Sequence, residues 1–254
     1  MDRTSGETAS DRRIFQISGA DALPFLQGLT SNDVLPLAKA PGIVWTALLT
    51  PQGKYLADFF VVNTGEMLLL DINESLADTT LRRLTMYKLR SDVAFGPSAL
   101  MAIRGLGETP VDALPDPRHE ALGWRAYRSL GDTPQIDWDT IRVAHVIPES
   151  GLELIPDDSY LLENGFERLH GVNFRKGCYV GQEVTARMKH KTELRKGLTR
   201  VTIDGQAPVG TDVLAAGKVV GRLFTQSGTH ALAHLRLDQA KGIMTAGSAR
   251  ITLD

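Results

Sequence analysis

From Gly197 onward the chain is written in short alternating runs, LTRVTI, TDVL, KVVGRLFT, HALAHLRL and GSARITL, with glycines between them and no helical periodicity. A period of two puts apolar side chains on one face of a strand. Several such runs separated by turn residues predict a small antiparallel barrel or sandwich. The boundary of this unit is expected near Thr192.

The preceding sequence mixes helical and strand patterns. Ser18 with Asp21 three residues on, and Gly28 behind, predicts a short helix over about 19–27, although Pro24 lies inside it. IVWTALLT (43–50), YLADFFVV (55–62) and MLLLDI (67–72) read as strands. PQGK (51–54) is a turn, and Asn63-Thr64-Gly65-Glu66 is a hairpin signal. Asn73 and Ser75 open a helix with apolar residues at Leu76, Ala77, Leu81, Leu84, Tyr87 and Leu89. Strands follow at about 92–95 and 99–104, completing a small α+β module. The Pro- and acid-rich stretch 106–120 reads as a loop. Trp124–Tyr127 is a predicted strand. Asp137 caps a helix to about His145, buried through Ile141 and Ala144, and Tyr160–Leu169 is expected to be helical. The first ten residues, MDRTSGETAS, lack an apolar stretch and read as a polar, frayed start, neither a secretory signal nor a transit peptide.

The chain has 254 residues, enough for one large domain or two to three small ones. A net charge of −2 gives no global basic field for nucleic acid, and the apolar runs are too short to span a bilayer. Cys178 is the only cysteine. That excludes an intramolecular disulfide, a cysteine-rich zinc site and a self-contained four-cysteine cluster. It also fits a reducing compartment. His119, His145, His170, His230 and His234 show no metal-ligand spacing, so no metal site is expected.

The densest motif is NFRKGCYVGQEVTARMKHK (173–191). Gly177 and Gly181 bracket Cys178 and Tyr179 and allow tight turns. Gln182 to Lys189 can be helical, which places Cys178 just ahead of a helix N-terminus with Lys176 two residues before it. Both features favour the thiolate. The competing reading is a small buried thiol that only packs. The basic run Arg187, Lys189, His190, Lys191, Arg195, Lys196, offset by Glu193, reads as a solvated face or as a docking patch for an anionic ligand or a partner.

Lys176-Gly177-Cys178-Tyr179-Val180-Gly181-Gln182-Glu183, followed by Arg187, resembles the K-G-C-Y-x-G-Q-E-x-x-x-R signature of the YgfZ/GcvT-like folate-binding family. Phe25-Leu26-Gln27-Gly28-Leu29-Thr30-Ser31-Asn32-Asp33-Val34 is similar to that family's F-L-Q-G-x-x-[TS]-x-D-V segment. Leu49-Thr50-Pro51-Gln52-Gly53-Lys54 is similar to its strand–turn, and Leu169–Asn173 to the stretch leading into the signature. The resemblance covers most of the chain, weakest over 106–135 and the C-terminal barrel. It implies an α+β fold, a GcvT-like three-lobed ring with a C-terminal antiparallel β-barrel. The lobes would be a discontinuous central folate-binding lobe (1–46 and 120–191), a small α+β lobe (47–119) and the barrel (192–254).

The resemblance further implies tetrahydrofolate, or a folate derivative, in a central cavity, and iron–sulfur client or assembly proteins as partners. A carboxylate can accept both the amino group and the ring N–H of a pterin. Glu163 is the candidate for that role, with Arg187, Gln182, Glu183, Gln27 and Asn32 as further cofactor-binding candidates. Cys178, Lys176 and Asp58 are the candidates for chemistry. Glycine-cleavage T-proteins carry Leu-Asp-Asp where this chain has Leu56-Ala57-Asp58. One carboxylate of the pair is absent, which argues against aminomethyl transfer and for an iron–sulfur accessory role. A folate-dependent aminomethyltransferase-like enzyme is the alternative. A cysteine hydrolase pairing Cys178 with His170 is a third reading, without a supporting signature.

Overall fold

The computed structural model describes residues 6–190 and 194–254. The elements up to the signature are β1 (Glu7–Thr8), β2 (Arg12–Ser18), α1 (Ala22–Gln27), β3 (Gly42–Leu49), β4 (Tyr55–Asn63), β5 (Leu68–Asn73), α2 (Glu74–Lys88), β6 (Ala94–Pro97), β7 (Met101–Gly105), β8 (Leu114–Pro115), β9 (Trp124–Arg128), α3 (Trp138–His145) and α4 (Gln182–His190). The strands β10 (Lys196–Asp204), β11 (Asp212–Ala215), β12 (Lys218–Ser227), β13 (His230–Arg236), β14 (Met244–Ala246) and β15 (Ala249–Leu253) follow.

These six last strands close into an antiparallel barrel in the order β10-β13-β12-β11-β14-β15. Val201, Ile203, Leu223, Ala233, Leu235, Met244 and Ile251 fill its interior, as the period-two pattern requires. The expected boundary residue, Thr192, lies outside the described residues, as do Lys191 and Glu193 of the basic run.

A five-stranded antiparallel sheet, β3-β4-β5-β2-β6, forms the centre of the rest. It is buried on both faces. One face carries Phe15, Ile17, Phe59, Val61, Leu70 and Ile72 against Leu26 of α1 and Ala77 and Leu84 of α2. The other carries Trp45, Tyr55, Phe60, Val62 and Leu69 against Trp138, Ile147, Leu161, Phe166 and Leu169. Double burial explains why β4 is a nearly continuous apolar run. The expected lobe boundary at 46/47 falls inside β3. A second, four-stranded antiparallel sheet has the order β1-β7-β9-β8.

Several expectations are corrected. Ser18 caps no helix. It ends β2, a strand hidden by the polar side chains of Arg12, Arg13 and Gln16, and α1 begins only at Ala22. Asp21 accepts instead from the amide of Asp92 at 2.8 Å. The described part of the polar start is docked, not frayed. Glu7 pairs with Arg104 across the edge of β7, is buried, and accepts from the amides of Gln135 and Ile136 at 2.7 and 2.9 Å. Helix α3 buries Trp138, Arg142 and Val143, leaving Ala144 exposed. Its face is turned because Arg142 donates to Glu153 and Thr225, both at 3.0 Å. Of Tyr160–Leu169 only Leu162–Asn164 is helical, a single 3-10 turn. Gly165 at φ +76 stops it, and the Asn164 amide bonds back to the Tyr160 carbonyl at 2.9 Å. The hairpin at 63–66, the Asn73 cap on Ser75 N and the Asp137 cap on Thr140 N are as expected.

Within the 106–120 loop lie residues of a buried ionic network. Asp71 accepts from Arg12 Nε at 2.7 Å, Arg125 Nη2 at 2.9 Å and the Tyr127 hydroxyl at 2.9 Å. Asp116 accepts from Arg118 Nη2 at 2.8 Å. Arg125 stands over the Phe60 ring at 4.2 Å. The network bonds the two sheets together; separately, Arg142 and Glu153 bond to Thr225 of the barrel.

Candidate functional site

The three sequence motifs converge. Lys176 Nζ donates to the carbonyls of Gln27, at 2.6 Å, and of Thr30. Gln27 Nε2 returns a bond to the Lys176 carbonyl at 3.2 Å and another to Asp33 at 3.0 Å. Asn32 Nδ2 donates to the carbonyls of Trp45 and His170 at 2.8 and 2.6 Å. Ser31 Oγ donates to Gly171 O at 2.7 Å, and Asn173 N to Ser31 O at 3.0 Å. The 25–34 loop is thereby sewn to the start of the signature.

Glycines close the other side. Gly181 has φ +82, and a Cβ there would lie 2.5 Å from Thr50 O. Gly53 has φ +74, and a Cβ there would lie 2.7 Å from Val184 Cβ. Only glycine satisfies both demands at each position. Tyr179 is buried, and its amide is accepted by the Gln182 side chain at 3.2 Å. Cys178 stands exposed between these anchors, ahead of α4. The loop is thus fixed on both sides of an accessible thiol, and the packing-only reading of Cys178 loses its premise.

Lys176 serves the framework. Partial burial pulls its ammonium down to about 8, and its hydrogen bonds go to backbone carbonyls. No hydrogen bond joins Cys178 to His170 among the described residues. Glu183 and Arg187 form an exposed pair at 3.3 Å on one face of α4, and Lys189 pairs with Glu167.

Asp58 is buried. It accepts from Trp45 Nε1 at 2.8 Å, Tyr55 OH at 2.6 Å and Ser150 Oγ at 2.6 Å. These three donors are the kind of set that holds a carboxylate in place. Trp45 itself stacks on Phe166 at 4.1 Å.

Glu163 lies elsewhere. It lines a cleft of about 530 Å³ between the 153–163 segment and the barrel, with Lys54, Tyr160, Phe224 and His234 among its neighbours. His234 Nε2 approaches Glu163 at 3.2 Å. The Lys54 ammonium sits 3.8 Å over the Tyr160 ring. Deeper in the body, the void among Arg104, Asp116, Arg118, Arg125, Arg142 and Glu149 measures about 10 Å³. That is room for a water and not for a pterin. The barrel's contribution to a cleft was not anticipated, since the register that turns His234 toward Glu163 has no local sequence signal.

The architecture is that of the aminomethyltransferase T-proteins. The glycine cleavage system aminomethyltransferase T from Bartonella henselae superposes with a TM-score of 0.76, covering 98% of this chain and 85% of that one at 11% identity. Sequence relatives are more particular. The mitochondrial iron–sulfur cluster assembly factor IBA57 of Mus musculus is 30% identical, covering 91% of this chain and 77% of its own. The Homo sapiens protein of that name is 28% identical with the same coverage. The Mycosarcoma maydis homologue is 31% identical over 73% of this chain and 54% of its own length. Residues 195–254 match the CAF17 C-terminal beta-barrel domain. This chain belongs to the IBA57-like family of iron–sulfur cluster assembly factors.

Proposed function

We propose that this protein is an accessory factor for iron–sulfur cluster assembly or repair that offers Cys178 to an assembly or client protein. The observation that carries the reading is the exposed thiol on a loop locked by Lys176, Tyr179 and Gly181. One thiolate cannot hold a conventional cluster, so the cluster is cargo whose remaining ligands come from the partner. Cys178→Ser removes no buried contact and should leave the unfolding free energy unchanged. The activity of iron–sulfur enzymes in cells carrying only this variant should fall to the level of cells lacking the protein. Full complementation by Cys178→Ser would sink the proposal.

Tetrahydrofolate is the ligand that goes with this reading. The void among Arg104, Asp116 and Arg142 is too small for it, whereas the cleft has the volume of a small-molecule site and a suitable lining. Glu163 would accept from the pterin, Tyr160 and Phe224 would wall the rings, and Lys54 would face the carboxylates. When bound, the cofactor supplies a reduced pterin able to carry a one-carbon unit. Ala57 replaces an acid of the T-protein pair, and Asp58 is enclosed by its three donors. Aminomethyl transfer therefore lacks a proton-transfer group at this position, and turnover with an aminomethylated lipoyl carrier should stay at background. Calorimetry with tetrahydrofolate tests the cleft: Glu163→Gln should weaken binding by about 1–3 kcal/mol, and unchanged affinity would remove Glu163 from the site.

A further inference from the structure

We propose that the corner 116–123 is an acid-released latch, closed by the side chain of His119 against the end of α3.

His119 makes two contacts with one ring. It stands in extended backbone at the head of a 3-10 turn, Glu120–Leu122, and its Nδ1 accepts from the Ala121 amide at 3.1 Å. The same ring lies against that of His145, the last residue of α3, with centroids 4.4 Å apart and planes at 39°. The usual residues at a helix head are Ser, Thr, Asn and Asp, whose oxygens accept throughout the neutral range. An imidazole accepts only through an unprotonated nitrogen. The cap therefore exists only while His119 is neutral, with its proton on Nε2. Protonation turns Nδ1 into a donor aimed at another donor and sets a cation against the second imidazole.

The surroundings favour the neutral ring. Partial burial is the largest influence and lowers the His119 pKa below its ordinary value. His145 and Arg168 act in the same direction, while Glu120 and Asp116 oppose them. Arg168 is fixed at this place by donating to the carbonyls of His145 and Val146 at 3.0 and 2.7 Å. Asp116 is already taken by Arg118, at 3.0 and 2.8 Å, and Glu120 is exposed. Neither carboxylate bonds to the ring.

The cap holds more than itself. The Leu122 amide donates to the His119 carbonyl at 3.0 Å, and the Asp116 amide to the Gly123 carbonyl at 2.9 Å. Leu122 is buried in the core. Asp116, Arg118 and Leu122 together form one wall of the void of about 10 Å³. Loosening the turn loosens the wall that shields the arginines behind it. The folded state binds the His119 proton less tightly than the unfolded chain does. The stability this contributes is fully present above pH ~6.5 and is lost as the pH falls through the lowered folded value.

Amide hydrogen exchange of the full chain at pH ~7.5 and pH ~5.5 reads the latch directly. After correction for intrinsic rates, protection at Ala121 and Leu122 should fall by about fivefold, the worth of one cap. His119→Asn sets an amide oxygen where Nδ1 stands and does not titrate, so its protection should stay level over the same interval. His145→Gln keeps the cap and removes the facing imidazole, so the midpoint of the fall should move to higher pH. Titration of the His119 ring by NMR in the parent needs no variant: its midpoint should lie below ~6.5 and coincide with the loss at Ala121. Level protection in the parent, an equal fall in His119→Asn, an unmoved midpoint in His145→Gln, or a ring midpoint at or above ~6.5 would each overturn the latch.

Discussion

The interior around Asp71 and the helix α4 are both rich in arginine and carboxylate, yet they use charge in opposite ways. Inside, Arg12 and Arg125 close on Asp71 with side chains that are at most 5% exposed. On α4, Arg187 and Glu183 meet at 3.3 Å with 70% and 83% of their side chains in solvent. A buried ion must be matched or the fold cannot bear it, whereas an exposed pair is exchanged for water at little cost. Charge in the interior therefore reports on how the sheets are joined. Charge on the outer face of α4 is met by solvent and by a neighbour one turn away.

The largest test of that contrast is Arg125→Ala. It leaves Asp71 and Asp116 short of a partner within the interior and should lower the unfolding free energy by about 3–5 kcal/mol, read by urea denaturation. A loss under about 1 kcal/mol would mean that water reaches the cluster and that the interior behaves like the surface.

Acid should act on the same cluster. Burial opposes ionisation of Asp71, but Arg12 and Arg125 outweigh it and hold the carboxyl at about 2, below its ordinary 3.8. The folded state thus binds the proton less tightly than the unfolded chain. The resulting stability is fully present above pH ~4 and is lost as the pH falls through ~2. The shift corresponds to about 2 kcal/mol. Asp116, buried, and Glu149, half-buried, are carboxylates whose arginine neighbours also draw them down, so they add to the same trend. Unfolding free energies measured from pH 5 to pH 2 should fall steadily, and a flat profile would break the comparison.

The same contrast separates what could be read from the sequence from what could not. The barrel was legible because alternation and glycine spacing are local. The hairpin at 63–66 and the start of α2 were legible for the same reason, each resting on side chains within a few positions. Strand β2 was not, because Arg12 becomes an interior residue only by meeting Asp71, 59 positions away. On the same ground Glu7 sits in a stretch that reads as a polar start, and Asp116 and Arg118 in one that reads as a loop. At the site, the signature points to a thiolate just ahead of a helix and leaves open whether that thiol is buried. It did not disclose that Lys176 braces the carbonyls of Gln27 and Thr30, nor that Glu163 faces a histidine of the barrel. Polar residues whose partners lie far along the chain carry no periodic signal, so their burial becomes visible only in three dimensions.

The smallest effect is expected at Arg187, and it sharpens the comparison most finely. Its ion pair with Glu183 spans one turn of a solvent-facing helix, and pairs of this kind contribute about 0.3–0.5 kcal/mol. Arg187→Ala should therefore change the unfolding free energy by no more than about 0.5 kcal/mol, the better helix propensity of alanine offsetting part of the lost pair. Raising the salt concentration should shrink even that difference, since exposed charges are screened within about 10 Å at 0.1 M. If Arg187→Ala instead costs more than about 2 kcal/mol, α4 is held to the body through this side chain, and the signature arginine belongs with the interior network. If stability is untouched while iron–sulfur enzyme activity in cells falls, the side chain acts on what lies outside the protein, alongside the thiol one helical segment before it.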